Sequence, residues 1–386
     1  MRIAFLIHSL GIGGAERQLT VLSKGLHDRG HDVVVIVFYS GGPLESDLIA
    51  AGVRIRSLNK RGRWDVHAIG GRLLRFVHQE NPDLLYAFDG TPNLAGLLPR
   101  LFLQNLKVVW GIRCSDMDWA HYDGASRFIS ALMARVAGFA HALIANSNAG
   151  MRHYASQGYP REKMVVIPNG VDTLRFRPDQ ALRSRVRAEW GVAEHEVLIG
   201  LVARLDPMKD HVTFVHSAAR IAKQRSGVRF VCVGDGPAAL KNSLKLLTEE
   251  LGLGDLFLWV GARIDMPAVQ NALDVAVSSS AYGEGISNAI SEAMACGTPC
   301  VVTNVGDSSW IVGPIGEVVP PKNPEALSVA ILSVLDQRPY DYGLIRQRII
   351  DHMSITTLLT RTESVLNAVL QNSHLNASEH EPAALQ

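Results

Sequence analysis

At 386 residues the chain exceeds what one ordinary hydrophobic core supports and is long enough for two domains. Hydrophobic residues make up 47% and charged residues 19%, which excludes a disordered chain, and a net charge of +1 gives no global attraction for nucleic acid. The charge is unevenly divided: residues 1–170 carry 19 Lys+Arg against 13 Asp+Glu and the remainder 19 against 24, so the first half favours an anionic partner or a membrane surface.

The chain opens on an apolar run, Ile3 to Ile7, followed by the turn Gly11-Ile12-Gly13-Gly14. An amphipathic stretch with Ala15, Leu19, Leu22 and Leu26 on one face follows, Gly30 is suited to cap it, and Val33 to Phe38 reads as a second buried strand. This strand–turn–helix–strand unit repeats, with strands expected near 53–58, 83–87, 107–110 and 141–145. Short apolar strands alternating with helices imply a parallel sheet covered on both faces. The alternation pauses at Val166-Ile167-Pro168-Asn169-Gly170-Val171-Asp172 and restarts at Val197 to Leu201, with further strands expected near 228–233, 256–260, 274–278 and 299–303.

The expected architecture is therefore α/β: a doubly wound domain over residues 1–172, a second over 173–355, and a polar tail over 373–386. Two such sheets with their carboxyl edges opposed would enclose a cleft. Cys114, Cys232, Cys296 and Cys300 form no disulfide or zinc pattern and read as buried packing residues in a reducing compartment. No run reaches the roughly 18 apolar residues of a spanning helix, and Arg2 opens a strand at once. Together these features predict a cytoplasmic protein that works at most at the inner face of a membrane.

The densest chemical signal is Glu284-Gly285-Ile286-Ser287-Asn288-Ala289-Ile290-Ser291-Glu292-Ala293-Met294, after an expected strand at Val275 to Ser279. A helix starting near Ser287 or Asn288 offers free amides, and Gly285 allows the close backbone approach a diphosphate needs. Glu292 lies one turn inside on the side of Asn288, where a carboxylate can accept bonds from ribose hydroxyls; either Glu alone reads equally as a surface charge. A second cluster, Arg204-Leu205-Asp206-Pro207-Met208-Lys209-Asp210, places two cations just after a strand, suited to neutralise a diphosphate leaving group. The loop Gly234-Asp235-Gly236-Pro237 ends another strand in a tight turn, a weak signal by itself.

Glu284 and Glu292, with seven residues between them and Ala-Met-Ala-Cys-Gly-Thr-Pro following, resemble the signature of glycosyltransferase family 4. Gly13-Gly14-Ala15-Glu16-Arg17, Ile167 to Asp172, Arg204 to Lys209, Val233 to Pro237 and Thr303 to Asp307 extend the resemblance over residues 1 to about 370. It implies a GT-B fold and retaining transfer from a nucleotide diphosphate-sugar to a glycan or lipid-linked acceptor, in polysaccharide or glycolipid synthesis, without metal or cofactor. By the same resemblance Arg204 and Lys209 meet the diphosphate, Glu292 the ribose, and Glu284 with Gly285, Ile286, Ser287 and Asn288 the sugar or phosphate. The Gly13-Gly14 loop would close over the reacting centre, and a helix over about 356–372 would return to the first domain.

Two positions depart from the family pattern. Ser287 stands where many relatives carry Pro, and Arg113 follows Val109-Trp110-Gly111-Ile112 where many carry a His. Asp116 and His121 are further acceptor-side candidates. Asp116-Met117-Asp118 mimics a metal motif of a different glycosyltransferase fold and is read here without a metal. Lys60, Arg61, Arg63, Arg72 and Arg75, with Trp64 nearby, read either as a docking face for an anionic membrane or as a solvated helix surface. The rival functions are a nucleotide-sugar epimerase of the same architecture and an inactive donor-binding subunit.

Overall fold

The computed structural model describes residues 1–11, 13–62, 65–113, 131–337 and 340–373. Cys114, Asp116, Asp118, His121, Arg63 and Trp64 lie outside them. The chain divides into two compact units, Met1–Gly170 with the helix Ile355–Leu370, and Val171–Ser354.

The first unit holds a seven-stranded parallel sheet: β1 Arg2–Ile7, β2 Asp32–Val37, β3 Arg54–Ser57, β4 Leu84–Phe88, β5 Lys107–Ile112, β6 Ala142–Ala145 and β7 Met164–Val166. Its order is β3-β2-β1-β4-β5-β6-β7. The central strands are buried along their length because helices cover both faces, which is why they read as unbroken apolar runs. The second unit holds six parallel strands: β8 Val197–Val202, β9 Val228–Val233, β10 Phe257–Gly261, β11 Val275–Ser278, β12 Cys300–Thr303 and β13 Glu317–Val319. They are ordered β10-β9-β8-β11-β12-β13. Both are doubly wound, Rossmann-like domains whose strand order reverses beside the first strand.

Strands β7 and β13 escape the sequence reading. Each has only three residues, too few to establish a period, and Val166 lies in a segment that reads as a turn cluster.

Helix Ile355–Leu370 packs on helix Gly14–Asp28 of the first unit, burying Leu358, Leu359, Val365, Leu366 and Val369 against Leu19, Leu22 and Leu26. At the rim Glu363 pairs with Arg29 and accepts a 2.7 Å bond from His31, and these bonds outweigh burial to hold its carboxyl below the ordinary value. Gly170 lies so close to Leu358 that a Cβ would crowd its side chain, and Gln18 grips Gly170 by both backbone groups, at 3.0 and 2.9 Å. Among the described residues no helix is long and apolar enough to cross a membrane.

Leu366 is fully buried in this seam. Leu366→Ala is expected to cost about 2–5 kcal/mol in a chemical-denaturation experiment, through lost contacts and the cavity left behind.

Candidate active site

In the second unit the strand order reverses between β8 and β11, and the loops after those two strands carry the predicted cations and carboxylates. The loop after β8 makes a short 3-10 turn, Pro207–Lys209, whose Asp206 accepts from the Met208 amide at 3.0 Å. Asp210 then caps helix His211–Gln224, accepting from the Thr213 amide and hydroxyl at 3.1 and 2.7 Å. The loop after β11 is stitched to it. The Ala281 amide donates to the Met208 carbonyl at 2.8 Å, and the Ser279 hydroxyl donates to the carbonyls of Lys209 and Asp210 at 2.9 and 3.0 Å.

These bonds deliver Lys209 Nζ onto Glu284 Oε2, where the two form an ion pair. Ser280 donates to the same oxygen at 2.8 Å, and Thr303 fixes Ser280 through its carbonyl at 2.7 Å. Glu284 is 7% exposed, so this charge lies largely out of water and needs its partners. Arg204 is placed differently. Its side chain is 69% exposed and pairs with Asp206 at 3.0 Å, so it stands at the mouth while Lys209 lies inside.

Helix Asn288–Ala295 begins four residues after Glu284. Ser287 is extended at the N-cap, but its side chain makes no capping bond, although serine is a favoured residue there. Ser291 donates its hydroxyl to the Ser287 carbonyl at 3.0 Å, and the Ser287 hydroxyl itself bonds none of the helix amides. At the other end Arg346 donates to the Ala295 carbonyl at 2.5 Å, a cation at the negative pole of the helix dipole. Glu292 is partly buried on the first turns, and Ile286 is buried in the apolar core.

Three glycines make room for these loops. Gly234, at φ +151°, and Gly236 lie against the carbonyls of Ala203 and Leu205, where a Cβ would overlap backbone. The two loops zip together through Leu205 N–H to Asp235 O at 3.0 Å. Gly306, at φ +63°, packs on the Glu284 carbonyl in the same way, and the neighbouring Asp307 amide donates to Gly285 O at 3.0 Å.

His211 is a feature the sequence reading missed. It is 3% exposed and neither ring nitrogen has a partner among the described residues. Burial, reinforced by Lys209, pushes its pKa down to about 4, so it adds no charge to the loop at neutral pH. The only signal for it was its place at the start of an amphipathic helix. Cys296 is pushed up to about 12 by burial, and the buried thiols of Cys232 and Cys300 are raised too, so all three behave as packing residues.

In the first unit Gly13 caps helix Gly14–Asp28 through its carbonyl, bonded to the Arg17 amide at 3.1 Å, and the Glu16 carboxylate folds back against it. Arg113 follows β5. Its guanidinium lies 4.5 Å from the Phe88 ring and donates to Asn169 Oδ1 and the Tyr86 hydroxyl, both at 3.3 Å. Its amide donates to Asp89, a non-glycine residue held at φ +57°, at 2.9 Å. Burial raises the Tyr86 phenol above its ordinary value despite this cation. Arg113 is thus gathered with Tyr86 and Phe88 of β4, Asp89 just after it and Asn169 after β7, a convergence invisible in the linear spacing. Arg72 of the basic stretch is committed locally, bonded to Asp65 at 2.9 Å and to the Asn59 carbonyl at 3.0 Å.

Two doubly wound, Rossmann-like parallel domains give the chain the architecture of the GT-B type. The model of Glycosyltransferase Family 4 matches residues 12–175, and that of Glycosyl transferases group 1 matches residues 196–337. The chain belongs to glycosyltransferase family 4. It is 33% identical over 159 residues to the putative glycosyltransferase EpsF of Bacillus subtilis, covering 41% of this chain and 40% of that one. It is 26% identical over 278 residues to a GDP-mannose-dependent alpha-(1-6)-phosphatidylinositol monomannoside mannosyltransferase of Mycobacterium tuberculosis, covering 69% of this chain and 70% of that one. Among solved structures, Anabaena HepE in complex with UDP superposes with a TM-score of 0.82 at 23% identity, over 95% of this chain and all of that one.

Gly306→Ala adds a Cβ where the Glu284 carbonyl already sits, at a backbone angle unfavourable for alanine. It is expected to lower stability by about 1–3 kcal/mol, measured as a shifted denaturation midpoint. Gly71→Ala, with no atom within 4 Å of the new Cβ, is the control and should leave the midpoint unchanged or raise it.

Proposed function

We propose that this protein transfers a sugar, with retention of anomeric configuration, from a nucleoside diphosphate-sugar to a glycan or lipid-linked acceptor in cell-surface polysaccharide or glycolipid synthesis. The observation that carries this reading is the Lys209–Glu284 pair, held between the loops of β8 and β11 just ahead of helix Asn288–Ala295. A cation, a carboxylate and a row of helix amides at one sheet edge match a donor with two phosphates and a hydroxylated sugar. The Anabaena structure with UDP and the mycobacterial enzyme's GDP-mannose both fit such a donor, and the latter's glycolipid acceptor fits a membrane-borne one.

In this reading the departing diphosphate gathers negative charge as the glycosidic bond stretches. Lys209 and Arg204 stabilise that charge, helped by the amides that open helix Asn288–Ala295, so the interaction is strongest in the transition state. The acceptor hydroxyl attacks from the face the diphosphate leaves and passes its proton to a diphosphate oxygen. Glu284 positions the donor sugar without bonding to it covalently, and Glu292 accepts from the ribose. Gly13 and Gly14 let their loop approach the donor, Gly234 and Gly236 the base, and Arg113 stands on the acceptor side.

The test begins with thermal stabilisation by UDP, GDP and ADP, followed by transfer assays with the sugar nucleotide of the base that binds. Glu292→Ala should weaken that nucleotide by on the order of 1.5–3 kcal/mol in calorimetry. Lys209→Ala should lower kcat roughly 10²–10³-fold while changing the donor KM less. Unchanged kcat in both Lys209→Ala and Arg204→Ala, or sugar covalently bound to Glu284 by mass spectrometry, would overturn the mechanism. Release of a free epimerised sugar nucleotide in place of a glycosylated product would assign the fold to an epimerase.

The same charge arrangement predicts a metal-independent reaction, since Lys209 and helix amides occupy the place a cation would serve. Activity in excess EDTA should match that of the untreated enzyme. Loss on chelation restored by Mg²⁺ or Mn²⁺ would reject this part of the proposal.

A further inference from the structure

Beyond the carboxyl ends of β2 and β3 the first unit has a shallow pocket of about 380 Å³, lined by Tyr39, Ser40, Asn59, Lys60 and Arg61. Lys60 Nζ is held over the Tyr39 ring at 5.4 Å, and His8, just past β1, packs edge-on to that ring at 4.9 Å. Asn59 is in the left-handed region at φ +46°, which turns the chain so that Lys60 and Arg61 follow directly at the pocket.

Among the described residues no carboxylate lies within ion-pair distance of Lys60 or Arg61. The acidic side chains nearby are spent elsewhere. Asp65 accepts from Arg72 at 2.9 Å and from the Arg61 amide at 3.2 Å, and Glu45 accepts from the amides of Gly41 and Gly42 at 2.7 and 3.2 Å. Burial first, and the Lys60 charge second, lower the His8 pKa, while Glu16 pulls it the other way. Among the described residues the pocket therefore pairs two cations that have no ion-pair partner with an aromatic face and small polar groups. A neutral sugar would use the ring and the hydroxyls; it would not call for two unpaired cations side by side.

We infer that this pocket binds a negatively charged group of the acceptor, a phosphate or a sugar carboxylate, with Lys60 and Arg61 on the anionic oxygens and Tyr39 beneath the adjoining sugar ring. This rests on the reading of the protein as a transferase whose donor site is in the second unit, since it leaves the sheet edge of the first to the acceptor. It narrows the acceptor class from any glycan to an acidic one.

The probes are glucose 1-phosphate and glucuronate, with methyl glucoside as the neutral control, titrated calorimetrically in the presence of the nucleoside diphosphate that stabilises the protein most. Saturating the donor site in this way removes it as a competing anion site. The expected result is binding of at least one acidic probe about tenfold or more tighter than methyl glucoside, lost in Lys60→Ala/Arg61→Ala. Stabilisation by the nucleoside diphosphate should be unchanged in that variant, which also shows that it folds. Equal binding of acidic and neutral probes, or acidic binding that survives in the variant, would overturn the inference. So would a variant-sensitive association with phosphatidylglycerol vesicles, but not phosphatidylcholine ones, without response to either soluble anion; the two cations would then serve a lipid surface. Absence of stabilisation by every nucleoside diphosphate would count against the transferase reading and not against the pocket, whose titrations can be run without nucleotide.

Discussion

The arrangement of the second unit depends on the reversal of strand order between β8 and β11. With right-handed crossovers, connections that progress in one direction along the sheet lie on one face, and those that progress the other way lie on the opposite face. Where the direction changes, the loops that leave two neighbouring strands turn to opposite faces and leave a crevice at the carboxyl edge. Residues 203–210 and 279–287 are those loops here, some seventy residues apart in sequence and tied together by Ser279 and Ala281. Without that reversal Lys209 and Glu284 would have no reason to meet.

Burying an ion pair is a poor way to gain stability, because desolvation takes back most of the Coulomb energy. The Lys209–Glu284 pair is better understood as a device for position. Ser280, held by Thr303, fixes one carboxylate oxygen, and Lys209 neutralises it while its own charge is kept below the surface. Arg204 is exposed and, among the described residues, pairs only with its neighbour Asp206, which leaves it able to follow a ligand. Two cations that look alike in the sequence are therefore unlike in exposure and in dielectric surroundings.

The first unit solves a different problem. Its sheet edge gathers Arg113, Tyr86, Phe88 and Asn169 around one guanidinium and places Lys60 with Tyr39 around another cation. Aromatic faces shield both cations without cancelling their charge. The surplus of basic residues counted in the first half of the chain is thus partly structural, as at Arg72, Arg29 and Arg54, and partly left available at the sheet edge.

The sequence by itself determined the two doubly wound sheets, because helical and strand periods are local and buried parallel strands read as short apolar runs. It also singled out residues 204–209 and 284–292, since Gly, Glu and Lys at strand ends break the apolar pattern, and the tertiary structure joins the two segments through Lys209 and Glu284. It could not show β7 or β13, which are too short to have a period and exist only because a neighbouring strand offers hydrogen bonds. Nor could it show that Ser287 leaves its helix without a side-chain cap, that Lys209 sits inside while Arg204 stays in water, or that His211 is buried with no partner among the described residues. Those outcomes depend on contacts between residues far apart in the chain, and it is tertiary packing that sets the burial and the distances on which charge interactions depend.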